Sequence, residues 1–234
     1  MKLEEMLDEI SVRFILNLHE IEKKYIERLY FILEEAYWFY LDFFVKRYKT
    51  IYFKFKEFCK TVLLYNNIEF GENDYLYFKT YKKSIPVYGA IILSKDLQKI
   101  LLVKGHKSQT FFFPKGKKSK DESGIECAER EVKEEVGLDL NNKLSSLSIN
   151  TSRGIFYFCF GIDCDQKTKT ETRNEIDQIH WVNLSDISFD KDEFKVVYLY
   201  LTEIKDKIQF YNEIRFKFNL EKIKKKMDEI YICE

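Results

Sequence analysis

Residues 116–138 read GKKSKDESGIECAEREVKEEVGL, and the second half carries Glu126, Glu129, Glu131, Glu134 and Glu135 within ten positions. Helical positions i, i+3 and i+4 share a face, so Glu131, Glu134 and Glu135 stack as like charges. An exposed glutamate pair at i, i+4 costs ~0.2–0.5 kcal/mol. Arg130 reaches Glu126 and Glu134 by i±4 pairing and leaves the other acids uncompensated. Glu is a good helix former, so a solvated charged helix is one reading. The other is a face loaded with a hard cation, since all-oxygen donors suit Mg²⁺, with Mn²⁺ as a substitute. The preceding loop, FPKGKKSK (113–120), sets lysines and glycine backbone beside the acids, a surface suited to phosphates. The pattern predicts a helix over 123–136, with Asp121 or Ser123 as N-cap and Gly137 just past its end.

Around this helix the pattern is β-rich. VYGAIIL (87–93) and KILLVKG (99–105) are strand-like runs separated by the polar turn SKDLQ. FFFP (111–114) is a short strand stopped by proline, and GIFYFCFGI (154–162) and IDQIHWVNL (176–184) are two more. Residues 192–234 show helical spacing in Phe194, Val197, Leu201, Ile204 and Ile208. Upstream, residues 1–66 have helical periodicity without a glycine or proline. Turn signals at Asn66-Asn67 and Gly71–Asp74 suggest a hinge over 71–83. The expected fold class is α+β: a helical domain over 1–70, then a mixed-sheet domain over 84–234 ending in a helix.

Composition fits two packed domains. Hydrophobic residues make up 45% of the 234, and only two prolines and eight glycines leave little room for disordered linkers. No apolar run is long enough for a membrane span. The opening MKLEEMLDEI fits neither a signal nor a transit peptide. The five cysteines form no CxxC, which points to reduced thiols inside a cell and no zinc site. Net charge is zero but uneven: residues 79–120 hold eleven lysines and one aspartate, while the flanking segments are acidic. A basic block beside an acidic one suits a polyphosphate held between lysines and metal-loaded carboxylates, although edge-strand lysines offer a plainer account. His19, His106 and His180 fall in no motif and are assigned no role.

From Gly116 the stretch meets every fixed position of the Nudix box: Gly116, Glu122, Arg130-Glu131, apolar Val132, Glu134-Glu135, Val136, Gly137 and apolar Leu138. The chain thus resembles the Nudix hydrolase superfamily, which implies an αβα sandwich around a mixed sheet and divalent-metal cleavage of nucleoside diphosphate linkages. By that resemblance Glu131 and Glu135 are metal ligands, Glu134 is a ligand or its support, and Gly116 offers its carbonyl to a metal. Glu122 caps or braces the helix and Arg130 orients carboxylates.

Further stretches resemble one branch of that superfamily, the catalytic subunits of the eukaryotic mRNA-decapping complex (the decapping protein 2 family). These are ISVRFILNL (10–18), EEAYWFYLDFF (34–44), KKSIPVYGAIIL (82–93), FPKGKKSKDES and RNEIDQIHW (173–181). The resemblance implies hydrolysis of capped mRNA to 7-methyl-GDP and 5′-monophosphate RNA with about two Mg²⁺ or Mn²⁺ ions. It also implies a cytoplasmic protein, P-bodies included, acting in mRNA decay. Trp38 and Asp42 stand at i, i+4; an indole face suits the cationic 7-methylguanine and a carboxylate its edge donors. Packing of Trp38 into the core is the alternative. Glu175 acts near the attacking water as general base or metal ligand. Lys115 and Lys117 contact cap phosphates, and Lys195, in FKVVYLYL (194–201), faces the RNA path, with KIKKK (222–226) adding contacts or merely ending a helix. The resemblance also implies that the helical domain is regulatory and closes over the catalytic one, and that Arg13, Phe14 and Ile15 contact a decapping protein 1-like activator; ordinary core packing of Phe14 and Ile15 is the alternative. Trp181 is read as core. A Nudix enzyme for a small nucleotide, such as a dinucleoside polyphosphate, is the alternative.

Overall fold

The computed structural model describes residues 3–48, 51–170 and 175–231, with side chains described through Lys217 and at Ile223. The chain divides into two compact units, Met1–Ile85 and Pro86–Glu234.

The first unit is helical: α1 (Leu3–Ile10), α2 (Glu20–Lys24), α3 (Ile26–Phe39), α4 (Lys46–Tyr48), α5 (Phe55–Tyr65) and α6 (Glu72–Ser84). Two π-helical segments interrupt the α pattern: Ser11–Ile15 after α1, and Tyr40–Val45 between α3 and α4. The periodicity that predicts helix also builds the core. Leu7 and Ile10 of α1, Leu33 and Ala36 of α3, and Phe58 and Val62 of α5 are buried together. Residues 71–83, expected as a hinge, form α6 instead. Gly71 is its N-cap, Glu72 and Asp74 fill its first turn, and Phe78 is buried in the helical core. The turn signal at Gly71–Asp74 is therefore a helix start, where acidic residues complement the exposed backbone N–H groups.

Among the described residues the second unit holds seven strands: β1 (Val87–Ser94), β2 (Lys99–Gly105), β3 (Phe111–Phe112), β4 (Lys115–Lys117), β5 (Leu144–Thr151), β6 (Gly154–Ile162) and β7 (Ile176–Asn183). β1 is the hub. It runs parallel to β6 and antiparallel to β2 and β4. β2 carries β3 and β7, both antiparallel, and β5 closes the other edge on β6. The sheet is mixed, as expected. The sequence reading lacked β4 and β5.

Side chains alternate along β1 and separate two cores. Ala90 and Ile92 face α7 (Gly124–Val136) and pack with Val132 and Val136. Ile91 and Leu93 face the opposite way, toward α8 (Lys195–Tyr198) and α9 (Leu201–Tyr231), where Val197, Leu201 and Ile204 are buried. The result is the expected αβα sandwich. Among the described residues no helix is long and apolar enough to cross a membrane.

Candidate active site

Local chemistry fixes α7. Ser123 is the N-cap: its hydroxyl accepts the N–H of Glu126 at 3.2 Å, and the Glu126 carboxylate accepts the Ser123 N–H at 2.6 Å. This reciprocal box satisfies two otherwise orphaned donors. Gly137 ends the helix in the left-handed region, φ 76°. Asp121, the other expected cap, precedes it. Glu126 is spent on this cap, so Arg130 turns elsewhere.

Arg130 is the organising cation. It binds Glu122 twice, Glu131 at 2.7 Å, Glu134 at 3.2 Å and the Lys117 carbonyl at 3.0 Å. Hydrogen bonding to Arg130 holds the Glu122 carboxyl down to about 2. Glu122 also accepts the Ser119 N–H, so it braces the loop ahead of α7 and is not its cap. Sequence spacing found the Glu134 contact; the Lys117 carbonyl belongs to β4, which the sequence reading did not resolve.

Glu135 lies beyond Arg130's grasp. It accepts the backbone N–H of Lys115 at 2.8 Å. It keeps some exposed surface, yet burial pushes its carboxyl up to about 7, and the charges of Glu131 and Glu175 add to the rise against the Lys115 counter-charge. Glu131 is also raised: burial outweighs its Arg130 bond, and Glu134 and Glu175 add to it. Glu175 belongs to an exposed bend just ahead of β7, 40 positions after Glu135 in the sequence, and the fold brings its charge to bear on both. Arg173 and Asn174 lie outside the described residues.

Gly116 is required by closeness. A Cβ there would stand 1.9 Å from the Glu131 carboxyl carbon. Its carbonyl accepts the buried Cys127 thiol at 3.8 Å. Lys115 and Lys117 flank it on β4, which is held to β1 with Gly89 opposite Lys115 and Val87 opposite Lys117.

The donor set suits a hard divalent cation: oxygens only, partly desolvated, with carboxylates whose mutual repulsion a cation would relieve. Among the described residues no three potential ligands are yet drawn together at metal-binding distance. Arg130 holds Glu131 and Glu134, so loading a metal exchanges part of that contact.

The other expected site residues are not part of this cluster. Lys195 is on α8, across the sheet from α7, where it pairs with Asp192 and lies 5.6 Å from the Phe189 ring centroid. The side chains of Lys222, Lys224, Lys225 and Lys226 lie outside the described set. In the helical unit, Trp38 is 59% exposed, which excludes the core alternative. Asp42 is half-buried and ion-paired with Lys46 at 2.6 Å. The chain passes from α geometry at Trp38 to π geometry at Asp42. Arg13 is exposed and stacks over Phe39 at 4.9 Å, and Phe14 is half-buried against the same ring. Ile15 is 1% exposed and belongs to the core, which removes it as a partner contact; Val12 and Leu16 are the exposed apolar neighbours. Trp181 packs against the core on the α7 side, as expected.

A mixed sheet with the acidic helix on one face, a glycine pressed against its glutamate and an arginine-locked loop define a Nudix domain; the NUDIX domain model matches residues 83–201, and the chain belongs to that family. Residues 5–83 match a second model, the Dcp2 box A domain. The chain is 38% identical over 195 residues to mRNA decapping complex subunit 2 of Schizosaccharomyces pombe, covering 78% of this chain and 26% of that protein. It is 38% identical over 194 residues to the m7GpppN-mRNA hydrolase of Saccharomyces cerevisiae, covering 78% and 20%. It is 36% identical over 195 residues to mRNA-decapping enzyme subunit 2 of Arabidopsis thaliana, covering 77% and 51%. The chain thus spans between a fifth and about half the length of these relatives.

Proposed function

We propose that the chain hydrolyses the 5′ cap of RNA in a divalent-metal-dependent reaction, giving 7-methyl-GDP and 5′-monophosphate RNA in mRNA decay. The observation that carries this reading is the convergence of Glu131, Glu135 and Glu175 beside Lys115, in a chain that also bears a Dcp2 box A domain. The relatives' names give the substrate class.

Glu131, Glu135 and Glu175 would hold the metal, with Glu134 in support. Bound Mg²⁺ or Mn²⁺ would neutralise phosphate charge and activate the attacking water. Lys115 and Lys117 attract the cap phosphates. Arg130 keeps the α7 carboxylates ordered while substrate and metal come and go. Trp38 offers an open indole face to the cationic base, and Asp42 takes its edge donors once it leaves Lys46. Arg13 and Phe14, with exposed Val12 and Leu16, face an activator subunit. A role on capped mRNA would fit a cytoplasmic protein, P-bodies included.

Cap-labelled RNA incubated with the chain and Mg²⁺ tests the reading. Release of 7-methyl-GDP, abolished by EDTA and by Glu135→Gln, is the expected result. Hydrolysis of a free dinucleoside polyphosphate with none of capped RNA would overturn it in favour of a small-nucleotide enzyme.

A further inference from the structure

Glu175 has to be aimed at α7 from a loop, and the strand it leads into is irregular. Lys104 of β2 is opposite Gln178 of β7, but the next residue of β2, Gly105, is opposite Ile176. Asp177 is therefore an extra residue in β7, a β-bulge. Its effect on side-chain direction is visible on the core. Ile179 and Ile176, an odd number of positions apart, both pack against the α7-side core. Regular alternation would send them to opposite faces. The bulge shifts the parity, keeps Ile176 on the α7 side and sets where the chain carrying Glu175 departs.

The bulge is tied down. The Asp177 carboxylate meets His106 Nδ1 at 2.9 Å and accepts the Lys107 N–H at 3.4 Å. The backbone N–H of His106 donates to the Glu175 carbonyl at 2.7 Å. Lys107 adopts φ 61°, a left-handed conformation that a non-glycine residue holds at a cost. Three contacts thus join the turn after β2 to residues 175 and 177.

We propose that Asp177 and His106 form a positioning clamp for Glu175, setting its carboxylate against Glu131 and Glu135 in the hydrolytic step. The proposal rests on the reading of Glu175 as part of the active site. Asp177 and His106 are positioning residues: they act through Glu175 and touch no reacting atom.

The test is a double-mutant cycle on the full chain, with turnover of capped RNA at saturating Mg²⁺. Asp177→Ala is expected to lower kcat about tenfold or more with KM within about twofold, a loss that corresponds to ~1.4 kcal/mol or more of barrier. Asp177→Asn, which retains an acceptor for the Lys107 N–H and for a protonated Nδ1, is expected to recover most of the rate. In a Glu175→Gln background, Asp177→Ala should cost almost nothing further, because the residue it positions is gone. Full additivity of the two losses would overturn the proposal. If wild-type chain leaves capped RNA intact, the functional reading fails, and amide exchange at 105–107 and 175–177 decides the clamp separately. Faster exchange there in both Asp177→Ala and His106→Ala, with the rest of the unit unchanged, supports the clamp. Unchanged exchange refutes it.

Discussion

Arg130 and Glu122 meet through two parallel hydrogen bonds, Nη2 to Oε1 at 2.8 Å and Nε to Oε2 at 3.1 Å. The pair joins α7 to the loop before it and fixes the guanidinium that Glu131 and Glu134 share. Glu122→Gln removes the charge while retaining the shape, and is expected to cost about 1.5–3 kcal/mol at neutral pH. The folded carboxyl titrates at about 2, below its ordinary 4.5, so this stabilisation is full above 4.5 and is lost as pH falls through about 2. Denaturant midpoints of wild type and Glu122→Gln should therefore converge over that window. A gap that stays constant down to pH 2 would mean the charge contributes nothing.

Gly116→Ala places a methyl group 1.9 Å from the Glu131 carboxyl carbon. Either Glu131 swings away or β4 shifts from β1. The atoms met are the far end of a flexible side chain, so stability should change little if Glu131 swings, and the displaced carboxylate should lower turnover at least tenfold. Thermal melting and single-turnover rates measure the two effects. Wild-type turnover in Gly116→Ala would show that the position of Glu131 is immaterial.

The elements legible in the sequence are those whose signals are local. α7 announces itself by its cap residues and Gly137, and β1, β2, β6 and β7 by dense apolar runs between turns. β5 was illegible because LSSLSINT, paired only with β6 at the sheet edge, buries just Ile149. β4 was hidden because three residues, Lys-Gly-Lys, carry no apolar signal; only pairing with β1 makes them a strand. The hinge misreading at Gly71 has a similar origin: turn and helix-cap residues are the same residues, and the buried Phe78 settles which applies. In the site, the box spacing brought out the α7 acids. The bulge at Asp177 depends on how β7 pairs with β2, which no stretch of β7 records by itself.

Ile15 marks the same boundary between pattern and packing. It is sealed in the helical core beside Met6 and Ile10. Ile15→Ala is expected to destabilise the helical unit by about 2–5 kcal/mol through the cavity it leaves. Val12→Ala and Leu16→Ala, at 57% and 61% exposed positions, should stay within about 0.5 kcal/mol of wild type. Chemical denaturation separates the three. If an activator subunit binds this face, the two surface variants should weaken it without a change in stability.

Trp38 offers the sharpest contrast between folding and recognition. Trp38 is 59% exposed, so Trp38→Ala removes less buried area than a core substitution and should lower the melting temperature only modestly. Loss of a stacked, cationic base costs about 0.5–2 kcal/mol, which is roughly 2–30-fold in affinity. The loss should be larger for a 7-methylated cap than for an unmethylated one, since only the former is a cation. Lys46 gives a second handle: it pairs with Asp42 at 2.6 Å, so Lys46→Ala frees the carboxylate and should tighten cap binding severalfold. Titration of both variants with 7-methyl-GTP and GTP, beside a thermal melt, measures every term. Equal losses for the two nucleotides in Trp38→Ala would reduce its role to general apolar contact, and unchanged affinity would move the cap away from this helix altogether.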